Sequence, residues 1–471
     1  MNLKKVMGYA LGPFGAAALG FISLPVMAWF FSTEDIGRIS MLQIFSTFSI
    51  LFFCLGLDQA YVREFHESDD KESLFKSCFL PGFIFCLIFF SILFVFNSRI
   101  ISIGLYNINS IYISCLSIIC FLFAFIIRFL GLILRMQDKA LLYSISQITP
   151  KVFFINFIFI IYFLNLDKSF KNLIIGQTFS LFFCVLILLW NNKDALIKII
   201  KAKFSVAKFK EVIKFGSPLI IGGLASWGLN VTDKLMLKNL ADFNELGLYS
   251  MAFSIAGVAT IFAGVFNTIW SPMVFKWISG GDVNYRKICD IQEYVLCGVY
   301  FLIVLSGLFS WLIMLFLPDN YYVVQYIITS CLLVPFFYTL SEVSSVGIAI
   351  SRKTLFSMYA SFIALILSII LNYFLIPILG AAGAAIASSI AFWLFLILRT
   401  EFSNRCWINI KTGKLYIITL ILLCVALLNS LQVVSSFEMR IIWLSLLVFG
   451  CFVFKNSIKM ILSFFYKTKL V

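Results

Sequence analysis

Apolar runs long enough to cross a membrane recur along nearly the whole chain, and only short polar stretches separate them. Hydrophobic residues make up 62% of the 471 residues and charged residues only 12%, which leaves too few charged side chains to cover a water-facing surface. An α-helix of roughly 20 apolar residues crosses the hydrocarbon core of a bilayer. The sequence therefore predicts an all-α polytopic membrane protein with about 14 transmembrane helices.

The predicted spans are continuous apolar runs, so they fit helices and not the alternating strands of a membrane barrel. They cover residues 6–31, 38–62, 77–97, 111–134, 141–165, 170–190, 213–238, 245–270, 291–317, 323–350, 354–377, 382–402, 413–431 and 438–455.

Basic residues are distributed unevenly between the segments that join these spans. The chain has 36 Lys and Arg against 22 Asp and Glu, a net charge of +14. An even number of spans places both termini on one side of the membrane, and cytoplasmic segments carry an excess of Lys and Arg. Most basic residues fall in cytoplasmic segments if the N-terminus is cytoplasmic, so we expect both termini there. Because no basic domain lies outside the membrane, we expect no nucleic-acid partner.

The sequence carries no signature of a metal site, a cofactor or a catalytic centre. The 12 cysteines are scattered singly without a CxxC pair, the single histidine (His66) lies in an acidic loop, and no phosphate-binding loop is present. We therefore expect no metal, no cofactor and no enzymatic activity.

Two segments of the chain resemble each other. Residues 4–41 and 214–251 align without gaps, and each copy has a basic start, a helix, a short acidic loop, a glycine and a second helix. Six predicted helices precede the second copy, so both copies enter the membrane in the same sense. Parallel repeats of this kind occur in alternating-access transporters.

The repeat predicts a division of the chain into four parts. These are a six-helix bundle at 1–190, a basic linker at 191–212, a second six-helix bundle at 213–402, and two additional helices with a basic tail at 403–471. The linker interleaves lysines with apolar residues, which is typical of an amphipathic helix on an anionic cytoplasmic leaflet.

Ionisable residues inside the spans are candidates for function, because a charge near the centre of a membrane helix costs at least about 2.5–3.5 kcal/mol. Lys151 follows Pro150 and falls near the midplane of the fifth span. Arg128 and Glu342 also lie some distance inside their spans. An ion pair between Lys151 and Glu342 is the structural alternative to a functional role.

Four other charged residues lie nearer to span ends, where a functional role and an interfacial role both fit. They are Asp58, Arg63, Asp233 and Lys234. A cavity lined by buried cations suits an anionic substrate, and phosphate groups accept charge-assisted hydrogen bonds from Arg and Lys. We therefore list Lys151, Arg128, Arg63 and Lys234 as substrate-binding candidates, and Asp58, Asp233 and Glu342 as ion-coupling candidates.

Some residues have a weaker signal. Tyr249 is one of several aromatic residues that fit either sugar stacking or an interfacial belt. The small residues of the run GAAGAAIASS (380–389) fit a helix-packing seam.

Four stretches in order along the chain resemble the bacterial O-antigen and polysaccharide repeat-unit flippases. They are GLDQAYVREF (56–65), KFGSPLIIGGLASWGLNVTDKLML (214–237), ELGLYSMAFSIA (245–256) and LNYFLIPILGAAGAAIASS (371–389). Asp58 and Arg63 lie in the first of these motifs, and Asp233 and Lys234 lie in the second.

This resemblance implies the fold of the multidrug/oligosaccharidyl-lipid/polysaccharide (MOP) exporter superfamily, with two six-helix lobes in a V around a central cavity. It also implies transport of undecaprenyl-diphosphate-linked oligosaccharide from the cytoplasmic to the periplasmic leaflet of the bacterial inner membrane. The expected partners are that substrate, membrane lipids, H⁺ or Na⁺ as the coupling ion, and the polysaccharide polymerase machinery.

Two alternatives stay open at this point. An ion-coupled multidrug exporter would share the fold. An O-antigen polymerase or ligase would have a similar hydropathy profile but a large periplasmic loop, whereas the predicted outer loops here are short.

Overall fold

A computed structural model describes residues 3–260, 263–264, 266, 270, 273–274, 277, 285–351, 353 and 355–460. Within these ranges the secondary structure is helical, without a β-strand. The helices are α1 (Leu3–Phe30), α2 (Thr33–Phe53), α3 (Leu57–Glu64), α4 (Lys71–Phe96), α5 (Ile100–Tyr106), α6 (Ile111–Met136), α7 (Ala140–Phe163), α8 (Phe170–Asn191), α9 (Lys193–Lys201), α10 (Val206–Leu240), α11 (Phe243–Ala256), α12 (Tyr285–Leu308), α13 (Val324–Ser344), α14 (Val346–Ile350), α15 (Leu355–Cys406), α16 (Gly413–Leu431) and α17 (Ser436–Val453).

The prediction of an all-α polytopic membrane protein is confirmed. Among the described residues, 11 helices are long and apolar enough to cross a membrane, and a shorter apolar helix covers Phe14–Phe30. Within the described residues, helices cover most of each of the fourteen predicted spans, and the span 291–317 ends in a 3₁₀ helix (Ser310–Leu315) after α12. Residues 261, 262, 265 and 267–269 of the predicted span 245–270 lie outside the described residues, as does the basic tail after residue 460.

Side-chain caps account for several helix starts. The Asp70 carboxylate accepts a hydrogen bond from the backbone N–H of Ser73 at 2.9 Å and so begins α4. Ser435 and Glu438 cap each other's backbone N–H groups at the start of α17. Such caps satisfy N–H groups that have no partner inside the helix.

Glycines in the left-handed region break the helices at two positions, one inside the predicted span 38–62 and one between the predicted spans 354–377 and 382–402. Gly56 (φ +69°) separates α2 from α3, and a Cβ there would lie 2.8 Å from the Cα of Gly216 in α10. Gly380 (φ +53°) divides α15 into 355–379 and 381–406. Only glycine adopts such a conformation without strain. The predicted span 38–62 is therefore two helices, α2 and α3.

The chain divides into two compact units, Met1–Val231 and Thr232–Val471. In the N-terminal unit, phenylalanines of α2, α4 and α6 pack edge to face, as Phe79 does on Phe129 at 5.4 Å. In the C-terminal unit, small residues of α15 are fully buried, including Ala381, Ala384 and Ala385. Small side chains let neighbouring helices approach closely.

Candidate functional site

Arg128 and Asp58 form an ion pair inside the N-terminal unit. Asp58 lies in the first turn of α3 directly after Gly56, and it is 8% exposed. Arg128 of α6 donates to Asp58 Oδ2 from Nη2 at 2.6 Å and from Nε at 3.0 Å. The side chain of Arg128 remains 31% exposed. The ion pair thus joins a predicted substrate-binding residue, Arg128, to a predicted ion-coupling residue, Asp58.

Arg63, in the same motif as Asp58, occupies a different environment. Its side chain is 56% exposed, and its guanidinium lies 4.3 Å above the ring centroid of Phe215 in α10. Gly56 also contacts Gly216, so the motif at 56–65 packs against the motif at 214–237.

Lys151 differs from these residues because it has no countercharge in the described part of the chain. It is half-buried on α7, one residue after Pro150. Among the described residues, neither a carboxylate nor a hydrogen-bond acceptor lies within bonding distance of its Nζ. Nζ lies over Gly20 of α1, where a Cβ would approach it to 3.1 Å.

The close packing of α1 on α7 explains how Lys151 is positioned. Three glycines of α1 face α7 in succession: Gly12 against Ser144, Gly15 against Ile148 and Gly20 against Lys151. Because these positions lack side chains, the two helices approach closely and leave room for a long side chain. The membrane cost of this ammonium therefore has no compensation from a protein carboxylate in the described part of the chain.

A buried polar cluster surrounds Asp233 in the C-terminal unit. Asp233 of α10 is 3% exposed, and its Oδ2 accepts hydrogen bonds from the Tyr249 hydroxyl and, at 3.1 Å, from Ser388 Oγ. Tyr249 belongs to α11 and Ser388 to the second half of α15. The three helices thus converge on one carboxylate, which needs such donors because burial disfavours its charge.

Lys234 follows Asp233 in sequence but points to a different contact. Its Nζ lies 4.3 Å from the ring centroid of Phe253 on α11, a cation–π geometry. Its backbone N–H donates to Asp233 Oδ1 at 2.8 Å.

Glu342 is paired within its own unit. Arg399 of α15 donates to Glu342 Oε1 at 2.5 Å and to Ser341 Oγ at 2.9 Å. Both side chains are mostly buried: that of Glu342 is 20% exposed and that of Arg399 is 11% exposed. Glu342, for which a pair with Lys151 was the structural alternative, thus has Arg399 as its partner.

The break at Gly380 is also tied to a resemblance motif. The Glu245 carboxylate accepts a hydrogen bond from the backbone N–H of Ala381 at 2.6 Å, which caps the second half of α15. A Cβ at Gly380 would overlap this carboxylate. Contacts in the C-terminal unit therefore join three of the motifs, 214–237, 245–256 and 371–389. They are made by Asp233, Tyr249, Glu245 and Ala381.

Sequence reasoning missed three of these residues as site components. The sequence predicts a stacking or interfacial role for Tyr249 and a packing role for Ser388, and it gives no signal for Arg399. All three lie inside predicted spans, and the first two lie in the quoted motifs. Within the described residues, no group of three His, Cys, Asp or Glu side chains is placed to hold a metal ion.

These arrangements belong to a membrane protein with a two-part helical body and charged groups inside it. The chain belongs to the family described as "Polysaccharide biosynthesis protein", whose model matches residues 2–277, more than half of the chain. The predicted resemblance to polysaccharide flippases is confirmed at this level. Comparison with curated proteins finds no match.

Solved structures of the MOP superfamily share the fold. The structure of the lipid II flippase MurJ in an inward-closed conformation is 17% identical, covers 96% of this chain and 99% of its own, and has a TM-score of 0.69. An inward-facing multidrug resistance MATE transporter is 14% identical, with a TM-score of 0.57 and coverage of 83% and 94%. An outward-facing MATE structure is 13% identical, with a TM-score of 0.52 and coverage of 85% and 95%. The chain thus belongs to a polysaccharide biosynthesis family and shares the fold of these flippase and transporter structures.

Proposed function

We propose that the protein flips an undecaprenyl-diphosphate-linked oligosaccharide, such as an O-antigen repeat unit, from the cytoplasmic to the periplasmic leaflet of the bacterial inner membrane. The observation that carries the proposal is Lys151, an ammonium in the membrane-spanning part that has no carboxylate partner among the residues the structure describes. A diphosphate supplies the negative charge that the described protein side chains do not. Membership in a polysaccharide biosynthesis family supports the same class of substrate.

Arg128 is the second cation in this scheme. Its guanidinium is paired with Asp58, but the side chain is about one-third exposed. It therefore retains N–H groups that can donate hydrogen bonds to a phosphate oxygen. Substrate phosphate and Asp58 then compete for one guanidinium. Neutralising Asp58 by a proton releases Arg128 to the substrate, which gives Asp58 a role in coupling.

Asp233 is the proposed coupling carboxylate of the C-terminal unit. It is buried, and its Oδ2 is held by the hydroxyls of Tyr249 and Ser388. A hydroxyl can donate to the ionised acid or accept from the protonated one, so this cluster accommodates both states without a buried unpaired group. Either H⁺ or Na⁺ fits the requirement for a charge-compensating ion.

The remaining charged candidates have smaller roles. Arg63 is exposed and suits the entry of an anionic headgroup, and Lys234 is placed on Phe253. Glu342 is held by Arg399 and acts as a structural partner. Transport proceeds by alternating access of the bundles 1–190 and 213–402, with both termini cytoplasmic.

The experiment that tests the proposal is a clean deletion of the gene in its own host. We expect lipid-linked repeat units to accumulate in the cytoplasmic leaflet and surface polysaccharide to be lost, with both restored by the wild-type gene. Normal surface polysaccharide in the deletion strain overturns the proposal. Increased sensitivity to cationic dyes without a polysaccharide defect identifies a drug exporter instead.

A further inference from the structure

A cavity of about 390 Å³ lies in the N-terminal unit between α3, α4, α6 and α9. Its volume falls in the range of small-molecule sites, about 300–1,000 Å³. None of the proposed transport residues lines it. The cavity is therefore a candidate for a second ligand with its own chemistry.

Polar groups without a hydrogen-bonding or ionic partner among the described residues line this cavity. Tyr61 is 3% exposed, and its hydroxyl has no hydrogen-bond partner among the described residues. Lys71 and Glu72, the first two residues of α4, also line it, and neither joins an ion pair in the described part of the chain. Gln137, at the end of α6, contributes an amide.

Aromatic rings form one wall of the cavity. Tyr61 packs edge to face on Phe65 at 5.5 Å and on Phe75 at 5.4 Å between centroids. The Lys71 ammonium lies 4.7 Å from the Phe65 centroid. The wall is thus apolar, with one positive and one negative side chain at its edge.

The position of the cavity indicates what reaches it. Lys71 begins one membrane-spanning helix and Met136 ends another, so the cavity lies where these spans meet the headgroup region. Helix α9 contributes Ala195 and Ile199 to its lining, while Ile197 and Ile200 of the same helix are 53% and 72% exposed. Such a helix lies at the membrane surface.

Helix α9 is fastened over the cavity by α4. Lys76 Nζ donates to the backbone carbonyls of Ile200 at 3.0 Å and Ala202 at 2.8 Å, which occupies the free carbonyls at the C-terminal end of α9. The Ser205 N–H and the Ser77 hydroxyl make a further contact at 3.2 Å. Helix α9, which covers the cavity, is therefore hydrogen-bonded to α4 of the N-terminal unit.

We propose that this cavity binds the zwitterionic phosphoethanolamine headgroup of a membrane phospholipid. Lys71 and the Gln137 amide donate to the phosphate, and Glu72 and the Tyr61 hydroxyl accept from the ammonium. A purely anionic headgroup leaves Glu72 without a partner and repels it. The inference depends on the membrane location and is independent of the transported substrate.

Native mass spectrometry of the purified full-length protein tests this site. We expect one molecule of phosphatidylethanolamine to be retained in preference to phosphatidylglycerol. Glu72→Gln is expected to weaken phosphatidylethanolamine binding at least about tenfold, equivalent to about 1.4 kcal/mol, and to strengthen phosphatidylglycerol binding, because it removes the carboxylate that repels an anionic headgroup. The matched control is Glu67→Gln, because Glu67 is exposed in the preceding loop and does not line the cavity.

A second pair of variants tests the same cavity without changing a charged side chain. Ala195→Trp fills the cavity from α9 and is expected to abolish retention, whereas Ile197→Trp on the exposed face of α9 is expected to preserve it. Equal binding of the two lipids, or full retention in Ala195→Trp, overturns the proposal. If free phosphoethanolamine binds as tightly as the lipid, the site serves a soluble zwitterion and the lipid assignment is wrong.

Discussion

Replacing Lys151 by methionine is expected to separate a substrate-binding lysine from a structural one. Methionine keeps most of the length and apolar surface of the side chain and removes the charge. Because the described residues give Lys151 no carboxylate partner, the substitution breaks no ion pair. A structural lysine and a binding lysine then predict opposite changes in stability.

The magnitudes follow from the environment of the ammonium. Removing one member of a buried ion pair costs about 3–5 kcal/mol. Keeping an unpaired cation inside the membrane instead costs at least about 2.5–3.5 kcal/mol, so Lys151→Met should leave thermal stability unchanged or raise it. A hydrogen bond to a charged group contributes about 1.5–3 kcal/mol, so binding of the lipid diphosphate should weaken about 10- to 100-fold.

The assay compares thermal unfolding and binding in detergent, with an undecaprenyl-diphosphate-linked oligosaccharide as the ligand. Lys151→Arg should retain most of the affinity, because it retains the charge. Lys203→Met is the matched control, since Lys203 is exposed in the connector. Wild-type affinity in Lys151→Met, or a large loss of stability, would contradict a substrate-binding role for Lys151.

Three further substitutions test the other contacts. Asp58→Asn should destabilise the protein by about 1–3 kcal/mol, since it weakens a charged hydrogen bond. In a double-mutant cycle measured by thermal unfolding, Asp58→Asn together with Arg128→Met should lower the stability by less than the sum of the two single changes. Asp233→Asn should make transport insensitive to an imposed H⁺ or Na⁺ gradient, whereas an unaltered gradient response in vesicles would exclude Asp233 from coupling. Gly380→Ala should lower stability by about 1–3 kcal/mol because φ is +53° there, while Gly413→Ala, with open space around it, should not; equal unfolding temperatures would contradict the strained geometry.

The helices were predictable from the sequence because each span is a long apolar run and the membrane imposes its length. The break at Gly380 was predicted too, because it falls between the spans 354–377 and 382–402. The break at Gly56 was not, since a glycine inside an apolar run is compatible with a continuous helix. The left-handed conformation at these two positions follows from contacts with Gly216 and Glu245, which are distant in sequence.

The partners of the intramembrane charges were not predictable either. Hydropathy gives the depth of a residue along its span but not the direction in which its side chain points. Arg128 and Asp58 are 70 residues apart, and their pairing depends on how α6 rotates against α3. Arg399 lies near the end of a predicted span, where a snorkelling side chain fits the sequence equally well.

The Asp233 cluster illustrates the same limit in the C-terminal unit. The sequence predicts Asp233 as an acid near the end of a span, where a functional role and an interfacial role both fit. It could not place Tyr249 and Ser388 beside it, since each comes from a different helix and has an ordinary role in apolar packing. Their presence in the resemblance motifs was the available signal.

The most direct test of transport is a reconstitution of the purified protein in vesicles that contain a defined undecaprenyl-diphosphate-linked oligosaccharide in the inner leaflet. Its arrival outside can be followed with a membrane-impermeant sugar-modifying reagent. The account predicts protein-dependent arrival that Lys151→Met strongly slows and Lys203→Met does not. Equal arrival with and without protein, or with Lys151→Met as fast as wild type, would contradict it.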